Sequence, residues 1–317
     1  MRVRILLAGA TGTIGRAVAR ELVTLGHDVI CPLRPGSSIE LNKPVALTCL
    51  LSEPGSLSRA LAGRRIDAVI SCMATRTGAV RDAWAVEHDA QINLLNEAAD
   101  AGAKHFILLS AICVQKPRLA FQKAKAAFED RLMQSGLYWT IVRPTAFFKS
   151  LSGQVARVQA GKPYLVFGDG RSTVCKPISD RDLAVFIVRC LSDPAARNQL
   201  LPIGGPGPAI TPLDQAHRLF EILEQEPRMR HLPHAFMDAL VGTFGLLGRF
   251  SATMRDKAEY ARTGRYYATE SMLVWNADTG CYDPDATPEF GSDTLWDHYS
   301  DLVHGRVGTD LGAHAFY

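Results

Sequence analysis

No two of the seven cysteines, at positions 31, 49, 72, 113, 175, 190 and 281, form a Cys-x-x-Cys pair. That excludes the thiolate spacing of an iron–sulfur cluster or a structural zinc site. An odd, scattered set of thiols fits reduced cysteines in a cytoplasm. Long hydrophobic runs are also missing. The longest, residues 235–247, is about 13 residues and holds Asp238, too short to span a bilayer. The net charge is only +3 and no basic cluster is interleaved with aromatics, so nothing points to nucleic acid. The first strand signal begins at residue 2 or 3, which leaves no room for a signal or transit peptide. No internal repeat or low-complexity stretch is present. What remains is an ordinary globular composition: 317 residues, 47% hydrophobic and 21% charged, enough for a sizeable core in one large domain or two small ones.

Gly9, Gly12 and Gly15 stand at three-residue spacing. Before them lies an apolar run, residues 3–8, broken only by Arg4, which reads as a buried parallel strand. After them Ile14, Ala17, Val18, Leu22 and Leu25 recur at helical spacing, and Gly26 is placed to end the helix. Gly9 permits a tight turn, Gly12 lets backbone N–H groups approach a pyrophosphate, and Gly15 lets the helix pack close to the sheet. Gly9, Thr11, Gly12, Thr13, Ile14 and Gly15 are therefore the expected dinucleotide cradle.

Strand and helix signals then alternate. Strands are expected at 28–34, 45–51, 66–73, 105–112 and 138–143, and helices at 56–62, 82–101 and 118–135. This is an α/β fold, a doubly wound parallel Rossmann sheet over residues 1–150. After Pro144 the pattern becomes irregular. Segments 164–167 and 173–178 flank Gly168-Asp169-Gly170 and read as a hairpin. Helices are expected at 180–191, 212–225, 233–247 and 254–262, and 200–203 as a further strand of the main sheet. Residues 151–317 thus read as a smaller, irregular C-terminal cap forming the other wall of a substrate pocket. Segment 235–247 reads as a cap helix lining that pocket, with peripheral contact to a membrane surface as the other reading.

The end of the second strand lacks the carboxylate that usually takes the ribose hydroxyls of NAD. It reads Cys31-Pro32-Leu33-Arg34, with Ser37 and Ser38 next and no acidic residue before Glu40. An arginine with two serines suits a 2′-phosphate, so Arg34, Ser37 and Ser38 are expected to select NADPH. By topology Cys72, Met73 and Ala74 flank the cofactor after the fourth strand, and Ser110 after the fifth. Pro144 and Phe147 lie along the nicotinamide after the sixth.

One further absence bears on the chemistry. Reductases acting on carbonyls use Tyr-x-x-x-Lys, the tyrosine protonating the developing alkoxide. Here the helix reads Phe121-Gln122-Lys123-Ala124-Lys125, and no lysine in the chain has a tyrosine four residues before it. Two readings remain: NADP(H) binding without chemistry, or hydride transfer to an acceptor that develops no localised oxyanion, such as a double bond conjugated to a large ring system. Lys125 is the candidate catalytic residue and holds the nicotinamide ribose.

The segment Gly9-Ala10-Thr11-Gly12-Thr13-Ile14-Gly15-Arg16 is similar to the atypical short-chain dehydrogenase/reductases. More specific are Leu108-Leu109-Ser110-Ala111-Ile112-Cys113-Val114-Gln115-Lys116-Pro117, Ile141-Val142-Arg143-Pro144-Thr145-Ala146-Phe147-Phe148-Lys149-Ser150-Leu151 and Gly264-Arg265-Tyr266-Tyr267-Ala268-Thr269-Glu270-Ser271-Met272-Leu273. Together they resemble the NADPH-dependent divinyl chlorophyllide 8-vinyl reductases of chlorophyll and bacteriochlorophyll synthesis, through almost the whole chain. The resemblance implies reduction of the 8-vinyl group of a 3,8-divinyl chlorophyllide or protochlorophyllide, with NADPH and without metal, flavin or iron–sulfur centre. It implies that Phe147 and Phe148 pack on the flat ring. With no transit peptide expected, the chain is expected in the cytoplasm of a phototrophic bacterium. The chain departs from the wider superfamily after the third strand, where Leu50 stands in place of an acidic residue near the adenine. The competing reading is a non-catalytic NADP(H)-binding regulator or assembly subunit of the same fold.

Overall fold

The computed structural model describes residues 2–39, 41, 43–75, 78–249 and 251–308, so positions 309–317 of the expected cap lie outside it. β1 (Arg4–Ala8) is buried from Ile5 onward. It leads into α1 (Thr13–Thr24), which turns Gly15, Ala17, Val18, Ala19 and Leu22 inward. Gly26 ends the helix at φ 78°, a left-handed conformation that suits glycine. β2 (Asp28–Leu33), β3 (Val45–Thr48), α2 (Ser56–Leu61) and β4 (Ala68–Ser71) follow. β3 and β4 are shorter than the apolar runs that announce them. Leu51 and Met73, beyond the strand ends, still pack on the core, so hydrophobicity outlasts the hydrogen-bond ladder.

The helix expected over 82–101 is interrupted. It forms as α3 (Val80–Trp84) and α4 (Ala90–Asp100), joined by one π-helical turn at Ala85–Asp89. β5 (His105–Leu109), α5 (Ala120–Met133) and β6 (Tyr138–Pro144) complete the nucleotide half. The chain then forms α6 (Phe148–Leu151), α7 (Val155–Gln159) and β7 (Tyr164–Phe167), followed by α8 (Asp180–Arg189) and β8 (Gln199–Ile203). The remainder is α9 (Pro212–Ile222), β9 (Met229–Leu232), α10 (His234–Leu247), α11 (Ala252–Tyr267), β10 (Val274–Asn276), β11 (Cys281–Asp283) and α12 (Leu295–Val303).

The main sheet has seven strands in the order β3-β2-β1-β4-β5-β6-β8. Every pair from β3 to β6 is parallel. Strand order reverses between β1 and β4, and in such sheets the ligand crevice opens at the carboxyl ends beside that switch point. The core includes Leu6, Ile30, Leu94, Phe106, Phe128 and Ile141, with the Phe106 and Phe128 rings 5.8 Å apart.

The chain divides into two compact units. One comprises Met1–Arg76, Val80–Pro144 and Asp180–Leu201; the other comprises Thr77–Ala79, Thr145–Ser179 and Pro202–Tyr317. The first therefore ends its nucleotide half at Pro144 rather than at 150, and regains α8, which packs beside α1.

In the second unit the expected hairpin does not form. β7 pairs in parallel with β9, while the 173–178 arm makes only single bridges, Cys175 to Ile210 and Met272 and Ile178 to Phe147. The reason is local. The Asp169 carboxylate accepts the N–H groups of Arg171 and Ser172, both at 2.9 Å, and this side-chain turn leads the chain away from β7. α9 starts at a reciprocal cap, Thr211 Oγ1 accepting the Asp214 N–H and the Asp214 carboxylate accepting that of Thr211. α10 packs on α11 but buries none of its own residues. Among the described residues no helix is long and apolar enough to cross a membrane.

Candidate active site

The glycine turn is shaped by close backbone approaches. Gly9 is at φ 78°, and a Cβ there would lie 2.5 Å from the Cys72 carbonyl carbon. A Cβ on Gly15 would lie 2.0 Å from the Gly9 carbonyl oxygen. The chain's own packing therefore demands glycine at both positions. Gly12 is different. It is exposed, its φ of −75° is open to any residue, and a Cβ there would meet only the Gly9 oxygen, at an ordinary 3.4 Å. Nothing in the protein requires glycine at 12, whereas a ligand lying against the backbone would. α1 also begins without a side-chain cap, which leaves its N-terminus able to receive an anion. Thr11, Thr13 and Ile14 are half-buried around it, and the Arg16 guanidinium braces the turn by donating to the Thr11 carbonyl at 2.8 Å. The residues present fit a pyrophosphate.

Because β2 runs parallel to β1, its carboxyl end lies on the same edge as this turn. Arg34 and Ser38 are exposed there and Ser37 is half-buried, its N–H closing a turn onto the Arg34 carbonyl at 3.0 Å. Arg34 has no side-chain partner among the described residues. After β4, Cys72 is buried, Met73 half-buried and Ala74 exposed. Burial pushes the Cys72 thiol up to about 12 against the opposing pull of the Lys125 charge, so Cys72 is a neutral thiol at physiological pH.

Lys125 on α5 is 7% exposed. Its Nζ is 2.8 Å from Oε2 of Glu87, itself 2% exposed on the π-helical turn. The other carboxylate oxygen of Glu87 accepts the Thr75 N–H at 2.8 Å, tying the pair to the loop that carries Cys72, Met73 and Ala74. Nothing in the sequence reading selected Glu87. A signal was available, since a carboxylate at 87 shares the inward face of Ala83, Ala90 and Leu94 at helical spacing. Phe121, where carbonyl reductases carry tyrosine, is half-buried one turn before Lys125.

The remaining expected site residues are placed as follows. Ser110 is buried, and its hydroxyl donates inward to Glu129, which also takes both nitrogens of the Arg143 fork. Its hydrogen is committed to that carboxylate. Pro144 is buried at the end of β6 in the first unit, whereas Phe147 and Phe148 belong to the second. There Phe147 is half-buried and bridges to Ile178, and Phe148 is buried with its ring centroid 5.5 Å from that of His298.

Comparison with known proteins bears on this arrangement. Residues 9–194 match the NAD(P)H-binding family. The divinyl chlorophyllide a 8-vinyl-reductase, chloroplastic, of Cucumis sativus is 45% identical, with 99% of this chain aligned to 79% of that protein. The chain belongs to the divinyl chlorophyllide a 8-vinyl-reductase family. Its likeness to the photosystem II assembly factor Ycf39 of Synechocystis is weaker, 28% identity over 64% of this chain and 62% of that protein. Among solved structures, leucoanthocyanidin reductase from Vitis vinifera superposes with a TM-score of 0.71 over 95% of this chain and 99% of that one. At 16% identity this establishes the shared fold. The 8-vinyl-reductase relatives extend over both compact units, whereas the Ycf39 likeness does not span the whole chain.

Proposed function

We propose that this chain reduces the 8-vinyl group of a 3,8-divinyl chlorophyllide or protochlorophyllide to ethyl, using NADPH, in chlorophyll or bacteriochlorophyll synthesis. Bound NADPH supplies the hydride, and a vinyl group conjugated to a macrocycle spreads the resulting charge, so no oxyanion donor is needed. The observation that carries the reading is the buried Lys125 ammonium standing without a tyrosine one turn before it.

The chain's residues bind, orient and exclude water. Gly9, Thr11, Gly12, Thr13, Ile14 and Gly15 hold the pyrophosphate at the start of α1. Arg34, Ser37 and Ser38 take the 2′-phosphate. Lys125 donates to the nicotinamide ribose, and Cys72, Met73, Ala74, Ser110, Pro144 and Phe147 line the nicotinamide. Phe147, the more open of the two phenylalanines, packs on the macrocycle, and Phe148 supports it from the core.

Two further features belong to this reading. The outer face of α10 presents Phe236, Leu246 and Leu247 at 50%, 59% and 46% exposure, with Arg249 and Arg255 after it, which supports peripheral contact with a membrane surface. Six of the seven cysteines are buried and none of the seven is in a disulfide, which supports a reducing compartment such as a phototroph's cytoplasm.

The test is to mix purified protein with 3,8-divinyl chlorophyllide and NADPH under anaerobic conditions. The Soret band is expected to move to the blue as the pigment gains about two hydrogens, and NADH is expected to serve poorly. NADPH binding with an unchanged pigment, and a stoichiometric protein partner in a pull-down, would instead establish a regulator or assembly subunit.

A further inference from the structure

A lysine ammonium has three donors. The Lys125 ammonium is ion-paired with Glu87 at 2.8 Å without a hydrogen bond to that oxygen, and no other protein group among the described residues takes its donors. Both members of the pair are buried, so holding them out of water is costly unless their geometry is fixed. The carboxylate is fixed twice, by the Thr75 N–H and by its place on the π-helical turn. Such turns interrupt the regular helical ladder and recur at functional sites.

We propose that Glu87 is the positioning residue for Lys125: its charge holds the ammonium in place so that the N–H donors point to the cofactor rather than into the core. The proposal rests on the reading of Lys125 as the nicotinamide-ribose ligand. It adds that the tyrosine-less site is organised by a carboxylate from a neighbouring helix. The surrounding charged groups do not duplicate this role. Asp82 on α3 accepts from the Thr75 hydroxyl, Glu97 on α4 takes the N–H groups of Gly55 and Ser58, and His88 pairs with Asp89. Further along, Glu129 on α5 pairs with Arg143 on β6. Cys72 is neutral.

The test uses the full chain with Glu87→Gln, Glu87→Asp, Lys125→Met and the double variant Glu87→Gln/Lys125→Met. Readouts are the NADPH dissociation constant, the pH profile of pigment reduction and Tm. Glu87→Gln is expected to weaken NADPH binding about tenfold, the worth of one hydrogen bond to a charged group. It is also expected to reshape the pH profile of pigment reduction, because the counter-charge beside the ammonium is gone. Glu87→Asp should move both readouts the same way by less, and it reports if Glu87→Gln does not fold. In the Lys125→Met background, Glu87→Gln should change neither readout further. A Glu87→Gln protein with lowered Tm but wild-type NADPH affinity and pH profile overturns the proposal. If Lys125→Met alone changes neither binding nor turnover, the ribose-ligand reading falls and this proposal falls with it.

Discussion

Two buried carboxylates meet cations around α5, and they are built differently. Glu129 takes the Ser110 hydroxyl and two nitrogens of Arg143, so acceptor and donors are matched within the protein. Glu87 takes one backbone N–H and one ammonium, and the ammonium keeps donors to spare. A saturated network specifies a core. An unsaturated one, at the carboxyl end of a doubly wound sheet, stands where such folds open their ligand crevice. The glycine turn repeats the contrast, since Gly9 and Gly15 are demanded by the protein's own backbone and Gly12 is not.

The sharpest way to break this comparison is to open the closed network. Arg143→Ala leaves Glu129 charged and buried and is expected to cost roughly 3–5 kcal/mol of stability in chemical denaturation. The folded fraction should bind NADPH normally. A loss of NADPH affinity with little loss of stability would reverse the roles given to the two pairs.

A third polar cluster extends the closed class. The Thr140 hydroxyl donates to the Ala196 carbonyl at 2.7 Å, so it must accept from His105 Nε2 at 2.8 Å. Burial and the Arg197 charge push His105 down to about 4. The unfolded chain, with an ordinary histidine, takes up the proton first. The stability that His105 contributes is therefore present above about pH 6.5 and lost as pH falls toward 4, by roughly 3 kcal/mol. Denaturant melts at stepped pH should show that loss, and His105→Gln should flatten it.

Opening the unsaturated pair should do the opposite of opening the closed one. Lys125→Ala is expected to lower pigment turnover about a hundredfold in the folded protein through a misplaced cofactor, whereas folded Arg143→Ala keeps its turnover. Full activity with unchanged NADPH affinity would remove Lys125 from the site. The smallest effect separates the glycines. Gly12→Ala is expected to weaken NADPH binding about tenfold with a near wild-type Tm. Gly15→Ala should lower Tm, because its Cβ cannot clear the Gly9 oxygen.

The legible features were those written in neighbouring residues. Gly9-x-x-Gly12-x-x-Gly15 between an apolar run and a helical stripe is a local signal, and so is the alternation that predicts the parallel sheet. The substitution of Phe121 for tyrosine before Lys125 could likewise be read directly. The hairpin around Gly168 was misread because each arm is apolar and short. Such arms declare that they need a buried partner without saying which, and β7 found its partner in β9, more than sixty residues away.

What the sequence by itself determined is the periodicity of the elements, the glycine turn and the absence of an acidic residue after β2, because each is encoded within a few residues. Only the tertiary structure decided that Glu87 meets Lys125 and that Ser110 turns inward to Glu129. It also decided that Gly12 alone of the three glycines is not demanded by the protein's own packing. Those outcomes depend on which helix packs on which strand end, and on one π-helical turn that sequence periodicity did not disclose.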